Sequence, residues 1–82
     1  MSDRLNLVEV GQLIETWLSG EAPGATLLAW THLRYAYELP NGWIVLRRLL
    51  GHTQEMRLKP GSEAQRDSDR QFAIREVTRS FR

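Results

Sequence analysis

The sequence predicts a small α+β domain: an N-terminal helix, an antiparallel β-hairpin or three-stranded sheet, and a C-terminal helix, in the order α-β-β-(β)-α. Three observations carry this. Apolar residues recur at helical spacing from Leu7 to Leu18, and the stretch YAYELPNGWIVLRR at 35–48 sets two strand-like runs around Leu-Pro-Asn-Gly. The tail from Ser62 onward joins capping serines to a second helical pattern.

The first helix is expected over about residues 7–18. Asn6 with Glu9 three positions on has the spacing of a capping box, and Leu5 can staple onto Val10. Leu7, Val10, Leu13, Ile14, Trp17 and Leu18 fall within an arc of about 140° when each residue advances about 100°. Ser19-Gly20 supplies a stop, and EAPG reads as a loop.

ATLLAWTHLRYAYEL is long for one strand. The firmer part runs from Thr31 to Leu39, behind an irregular or helical start. Pro40-Asn41-Gly42 suits a type I turn with proline second and glycine in the left-handed position, making a three-residue hairpin loop with a bulge. WIVLRRLL returns as the second strand, favoured by Trp43, Ile44 and Val45. TQEMRLK is a weaker third strand, closed by Pro60-Gly61. In the tail helix, Ser62 with Gln65 or Ser68 with Gln71 can cap, and Asp67 and Asp69 favour the later start. Ala73, Ile74, Val77 and Phe81 share one face; Arg75, Arg79 and Arg82 share the opposite one; Phe72 falls off the apolar stripe.

Composition bounds the rest. The 82 residues are read as one domain, 1–82, with a compact core; 41% are hydrophobic, 26% are charged, and the mean hydropathy is −0.43. With no cysteine there is no disulfide and no thiolate metal or redox site. That absence, with a start that lacks a signal-like apolar run and no stretch long enough to span a bilayer, leads us to expect a cytoplasmic protein without membrane contact. The net charge of +1 argues against a strongly electrostatic nucleic-acid binder. The charge is divided unevenly. Residues 1–42 hold two basic against five acidic groups, a net of −3, and residues 43–82 hold nine against five, a net of +4.

A loop at Pro40-Asn41-Gly42 pairs residues whose numbers sum to 82. One face then holds Leu39 with Trp43, Tyr37 with Val45, Tyr35 with Arg47 and Leu33 with Leu49. The other holds Glu38 with Ile44, Ala36 with Leu46, Arg34 with Arg48 and His32 with Leu50. Directly opposed arginines are unfavourable without an anion between them. Glu38 or a helix acid as counter-charge, or a strand slipped by one residue, is the favoured reading; otherwise His32, Arg34 and Arg48 form an anion-receiving spot. Tyr35, Tyr37 and Trp43 are expected to pack beneath the first helix rather than form an open stacking platform for bases.

Catalytic and cofactor signatures are not found. GHTQ and KPGS are not phosphate loops, and His32 and His52 stand twenty positions apart without cysteine. DSD at 67–69 lacks the rest of a calcium loop. Ser19, Ser62, Ser68 and Ser80 lack a nucleophile motif, and nothing nearby orients His32 as a base. No catalytic residue, metal ligand or cofactor is therefore assigned, and an enzyme is not expected. LRRLLGHTQEM at 46–56 resembles the leucine-glycine-histidine segment of tyrosine recombinases, and THLRY loosely resembles their arginine motif. That family's catalytic tyrosine lies downstream of the histidine, whereas Tyr35 and Tyr37 lie upstream, and the chain is far shorter than its catalytic domain. The element order also resembles double-stranded RNA-binding domains, but residues 62–71 hold only Arg66 and Arg70 where that family is lysine-rich.

The expectation is a non-catalytic protein-binding module, such as a small bacterial or phage-type regulator or inhibitor that masks a partner surface. Its contact residues are His32, Arg34, Arg48, Arg47 and Trp43, because arginine and aromatics dominate interface hot spots. The charge asymmetry also suits a homodimer. The alternative is nucleic acid bound through phosphate contacts by Arg75, Arg79 and Arg82, joined by arginines of the hairpin.

Overall fold

The computed structural model describes residues 5–79. Helix α1 (Leu7–Glu21) leads into strands β1 (Thr26–Trp30), β2 (Arg34–Glu38) and β3 (Ile44–Arg48). A short 3-10 turn (Leu50–His52), β4 (Gln54–Leu58) and helix α2 (Glu63–Thr78) follow. The strands form one antiparallel sheet in the order β1-β2-β3-β4. The α+β class and the flanking helices are as expected, with four strands where a hairpin or three were anticipated.

Helix α1 starts where the capping box puts it. The Glu9 amide donates to Asn6 Oδ1 at 2.9 Å, and the Asn6 amide donates to Glu9 Oε1 at 3.0 Å. The helix continues past Ser19-Gly20 to Glu21, where the Ala22 amide closes on the Leu18 carbonyl at 2.7 Å. The stop is one turn later than the glycine suggested. The Ser19 hydroxyl folds back onto the Thr16 carbonyl at 2.7 Å instead of breaking the helix.

The run from Ala25 to Leu39 is two strands, not one. Buried Thr31 makes the turn between them: its Oγ1 accepts the Leu33 and Arg34 amides, each at 3.1 Å, while its own amide donates to the Arg34 carbonyl at 2.8 Å. This turn uses a threonine hydroxyl in place of glycine or proline, so the punctuation residues that normally betray a turn are missing. The β2–β3 hairpin follows the expected register, from Arg34 opposite Arg48 through Tyr37 opposite Val45 to Glu38 opposite Ile44. Its loop is closed by the Gly42 amide on the Leu39 carbonyl (2.9 Å) and the Leu39 amide on the Trp43 carbonyl (2.7 Å). Gly42 sits at φ +96°, which explains a glycine there. TQEMRLK joins the sheet, with Leu46 opposite Met56 and Ile44 opposite Leu58. Helix α2 begins at Ser62, whose Oγ accepts the Gln65 amide at 3.3 Å. The later start at Ser68 is not used.

One helix covers each face of the sheet. Val10, Ile14 and Leu18 of α1 pack on Tyr35, Tyr37 and Val45, while Ala73 and Val77 of α2 pack on Ala29, Ala36, Ile44 and Leu46. Alternation along Tyr35-Ala36-Tyr37 thus separates large side chains, facing α1, from a small one facing α2. Because both faces are covered, Tyr35 to Glu38 are all buried. Each large side chain withdrawn from water contributes about 1.5–3 kcal/mol. The expectation that Tyr35 and Tyr37 belong to the core holds. Trp43 lies at the hairpin end, half-buried, with the Arg57 guanidinium 4.4 Å from its ring centre. On α2, Ala73 and Val77 are buried and Ile74 packs beside them, whereas Phe81 lies outside the described residues.

Candidate functional site

The opposed arginines find their anion in an unanticipated place. Glu55 of β4 reaches both, with Oε1 3.0 Å from Arg34 Nε and Oε2 3.6 Å from Arg48 Nη1. Neither Glu38 nor a helix acid serves this role. Glu38 is held by α2 instead: Arg70 Nε donates to Oε1 (2.7 Å), Arg70 Nη2 to Oε2 (3.1 Å) and Arg66 Nη2 to Oε2 (2.8 Å). These charge-assisted bonds, the Arg70 pair foremost, hold the Glu38 carboxyl below the usual carboxylate range despite its burial. The clamp ties the first turns of α2 to the end of β2.

The five residues expected at a partner interface fall in different places. His32 and Arg48 come together: with Leu33, Leu49 and Leu50 they line a hollow of about 260 Å³ beside the β1–β2 turn. His32 Nε2 donates to the Leu5 carbonyl at 2.8 Å and so ties the segment before α1 to this turn. Arg34 lies beside Arg48 through their shared Glu55. Arg47 points to the opposite face, where its Nε donates to the Tyr37 hydroxyl at 3.0 Å and its Nη1 to the His52 carbonyl. Trp43 is at the far end of β3. The anticipated cluster of His32, Arg34 and Arg48 is therefore compact, while Arg47 and Trp43 stand apart from it. Of the phosphate-contact candidates, Arg75 is exposed, Arg79 is paired with Glu76 at 2.9 Å, and Arg82 lies outside the described residues.

Two features were missed in the sequence. The first is a set of large apolar side chains left in solvent: Leu5, Leu7, Val8 and Leu13 around α1, and Leu33 and Leu50 at the turns. Leu7 and Leu13 lie on the apolar arc expected to face the core, but the buried line of α1 runs through Val10, Gly11, Ile14 and Leu18. Gly11 was the available signal. An alanine Cβ there would meet the Trp30 ring at 2.7 Å, so this glycine marks the side that faces the sheet. The second feature is a cluster around His52. Its ring stacks on Trp17 with centres 4.2 Å apart and planes 2° off parallel, and its Nδ1 is 2.7 Å from the Tyr35 hydroxyl. His52 holds φ +54°, a left-handed conformation uncommon for a residue with a Cβ. Burial pushes the Tyr35 phenol up to about 12.

Among the described residues no group of three or more histidine, aspartate or glutamate side chains is placed to hold a metal ion, and no helix is long and apolar enough to cross a membrane. Comparison of the chain with protein-family models, curated proteins and solved structures finds no match.

Proposed function

We propose that this chain is a non-catalytic protein-binding module of the cytoplasm, acting as a small regulator or inhibitor by covering a partner's surface. The observation that carries the reading is the hollow beside the β1–β2 turn. Leu33 and Leu50 stand there 51% and 90% exposed, next to His32 and Arg48. An 82-residue chain that leaves such leucines in water while burying threonine and glutamate keeps them for a use outside its own core. An apolar centre edged by Arg34 and Arg48, two cations that share the single carboxylate of Glu55, matches a partner surface that is apolar and edged by carboxylates.

Fewer arginines are free for a phosphate backbone than the sequence count suggests. Arg34 and Arg48 share Glu55, Arg66 and Arg70 clamp Glu38, Arg79 is paired with Glu76, and Arg47 is turned toward Tyr37. The test is affinity capture from a native lysate, with nuclease, using the natural chain and a Leu33→Glu/Leu50→Glu variant. Both positions are exposed, so the variant keeps the fold. One protein recovered by the natural chain and lost with the variant supports the reading. Capture abolished by nuclease instead favours nucleic acid bound through Arg75, Arg79 and Arg82. A second copy of the chain on the same leucines would appear as a dimer in sedimentation equilibrium that the variant dissociates.

A further inference from the structure

A second hollow, of about 330 Å³, lies between α1 and the 3-10 turn. Ile14, Trp17 and Leu49 line it with Leu5 and Leu13, and His52 is the one lining residue with an ionisable ring. It shares only Leu49 with the hollow described above. None of the lining residues carries a carboxylate.

The orientation of His52 is fixed from several sides. Trp17 stacks against the ring, the Arg47 guanidinium donates to the His52 carbonyl, and Gly51 at φ +84° turns the chain inward just before it. Tyr35 fixes the tautomer. Its side chain is fully buried, and its hydroxyl has His52 Nδ1 as its only partner among the described residues, so its proton goes to Nδ1. In the neutral ring the histidine proton is then on Nε2, which has no protein partner among the described residues. The hollow therefore has a largely apolar wall with two ring N–H donors, the Trp17 indole and the His52 Nε2 proton that Tyr35 presets, and the Arg47 guanidinium lies 5.7 Å from the centre of the Trp17 ring. A left-handed, doubly anchored histidine is costly to hold for packing alone, and such strain gathers at ligand clamps.

We propose that this hollow binds a small amphiphilic carboxylic acid, its aliphatic or aromatic body against Ile14, Trp17 and Leu49 and its carboxylate accepting the His52 Nε2 proton. The volume is at the small end of the range for ligand sites, which suits a short acyl chain or a single ring system. The nearby cationic field of Arg47 favours an anionic head over a neutral or cationic one.

The probe is octanoate, with octylammonium as the control of equal body and opposite head, titrated by calorimetry and by the amide and ring N–H resonances of the full chain. Octanoate should saturate at one site per chain and shift the His52 ring resonance, and octylammonium should bind at least about tenfold more weakly. His52→Phe keeps a ring on Trp17 but removes the Nε2 donor. Leu13→Glu puts a carboxylate at the mouth from an already exposed position. Each should weaken octanoate about tenfold, the usual effect of a lost charge-assisted hydrogen bond or an added like charge. The proposal is overturned if octanoate shows no saturable binding, or if octylammonium binds equally well. It is also overturned if a folded His52→Phe, or Leu13→Glu should His52→Phe not fold, binds octanoate as tightly as the natural chain does.

Discussion

Replacing Gly11 by alanine sets two opposing effects against each other within one helix. Alanine is the better helix former by about 0.8–1.0 kcal/mol, so on propensity alone Gly11→Ala stabilises. The new Cβ, however, would stand 2.7 Å from Cε2 and Cζ2 of Trp30 and 3.0 Å from its Nε1. The indole does not swing away freely, because its Nε1 donates to the Leu7 carbonyl at 2.7 Å, one turn earlier on the same helix. Moving the ring sacrifices that bond, worth about 1 kcal/mol, and overpacking in general costs about 1–3 kcal/mol. The net expectation is a loss of about 1–3 kcal/mol, each kcal/mol of which lowers the Tm of a domain this small by about 4–8 °C. Urea unfolding followed by circular dichroism measures it, with an unchanged m-value as the check that only stability moved. Gly20→Ala is the internal control: nothing lies within 4 Å of a Cβ there, so the same change should stabilise. In a Trp30→Ala background, Gly11→Ala should also turn stabilising. A Gly11→Ala chain more stable than the natural one would refute the claim that Trp30 packs against this turn of α1.

Three further outcomes follow from the charged and phenolic groups. Glu38 has a folded-state pKa lowered chiefly by the hydrogen bonds from Arg70. Its contribution is therefore present at neutral pH and lost as acidification passes below its unfolded value of about 4.3; urea midpoints of Glu38→Gln should fall less over that window than those of the natural chain. Glu55→Gln leaves Arg34 facing Arg48 without a counter-charge. The loss should stay under about 1 kcal/mol because the groups are partly exposed, and 1 M salt should shrink it, since screening at that strength acts within about 3 Å. The Tyr35 phenol, raised by burial, should resist ionisation until about 12 in a phenolate absorbance titration. Its stabilising share is complete below the unfolded value of about 10 and disappears as pH rises through 12, so Tyr35→Phe should flatten alkaline unfolding.

Local chemistry made much of this fold legible. The Asn6–Glu9 box fixed the start of α1, because its two hydrogen bonds join neighbours in sequence. Pro40-Asn41-Gly42 set the hairpin loop, and with it every pairing from Arg34–Arg48 to Glu38–Ile44, because side-chain alternation leaves no freedom once a short loop is placed. The turn at Thr31 escaped notice because the residue that makes it, a threonine, is also a good strand former.

The counter-charges and the surface were settled at longer range. Glu55 reaches Arg34 and Arg48 only because β4 pairs beside β3, and Glu38 meets Arg66 and Arg70 only because α2 crosses back over β2. The apolar arc of α1 was readable, but how much of it is buried depends on how much sheet lies beneath it. Gly11 lets the Trp30 ring come against the helix on one side, so Leu7 and Leu13 are left in water on the others. His52 shows the same division. The sequence supplies the residue, but only packing brings Trp17 from α1, Tyr35 from β2 and Arg47 from β3 against one imidazole, because contacts among distant segments exist only once the sheet has closed beneath the helix.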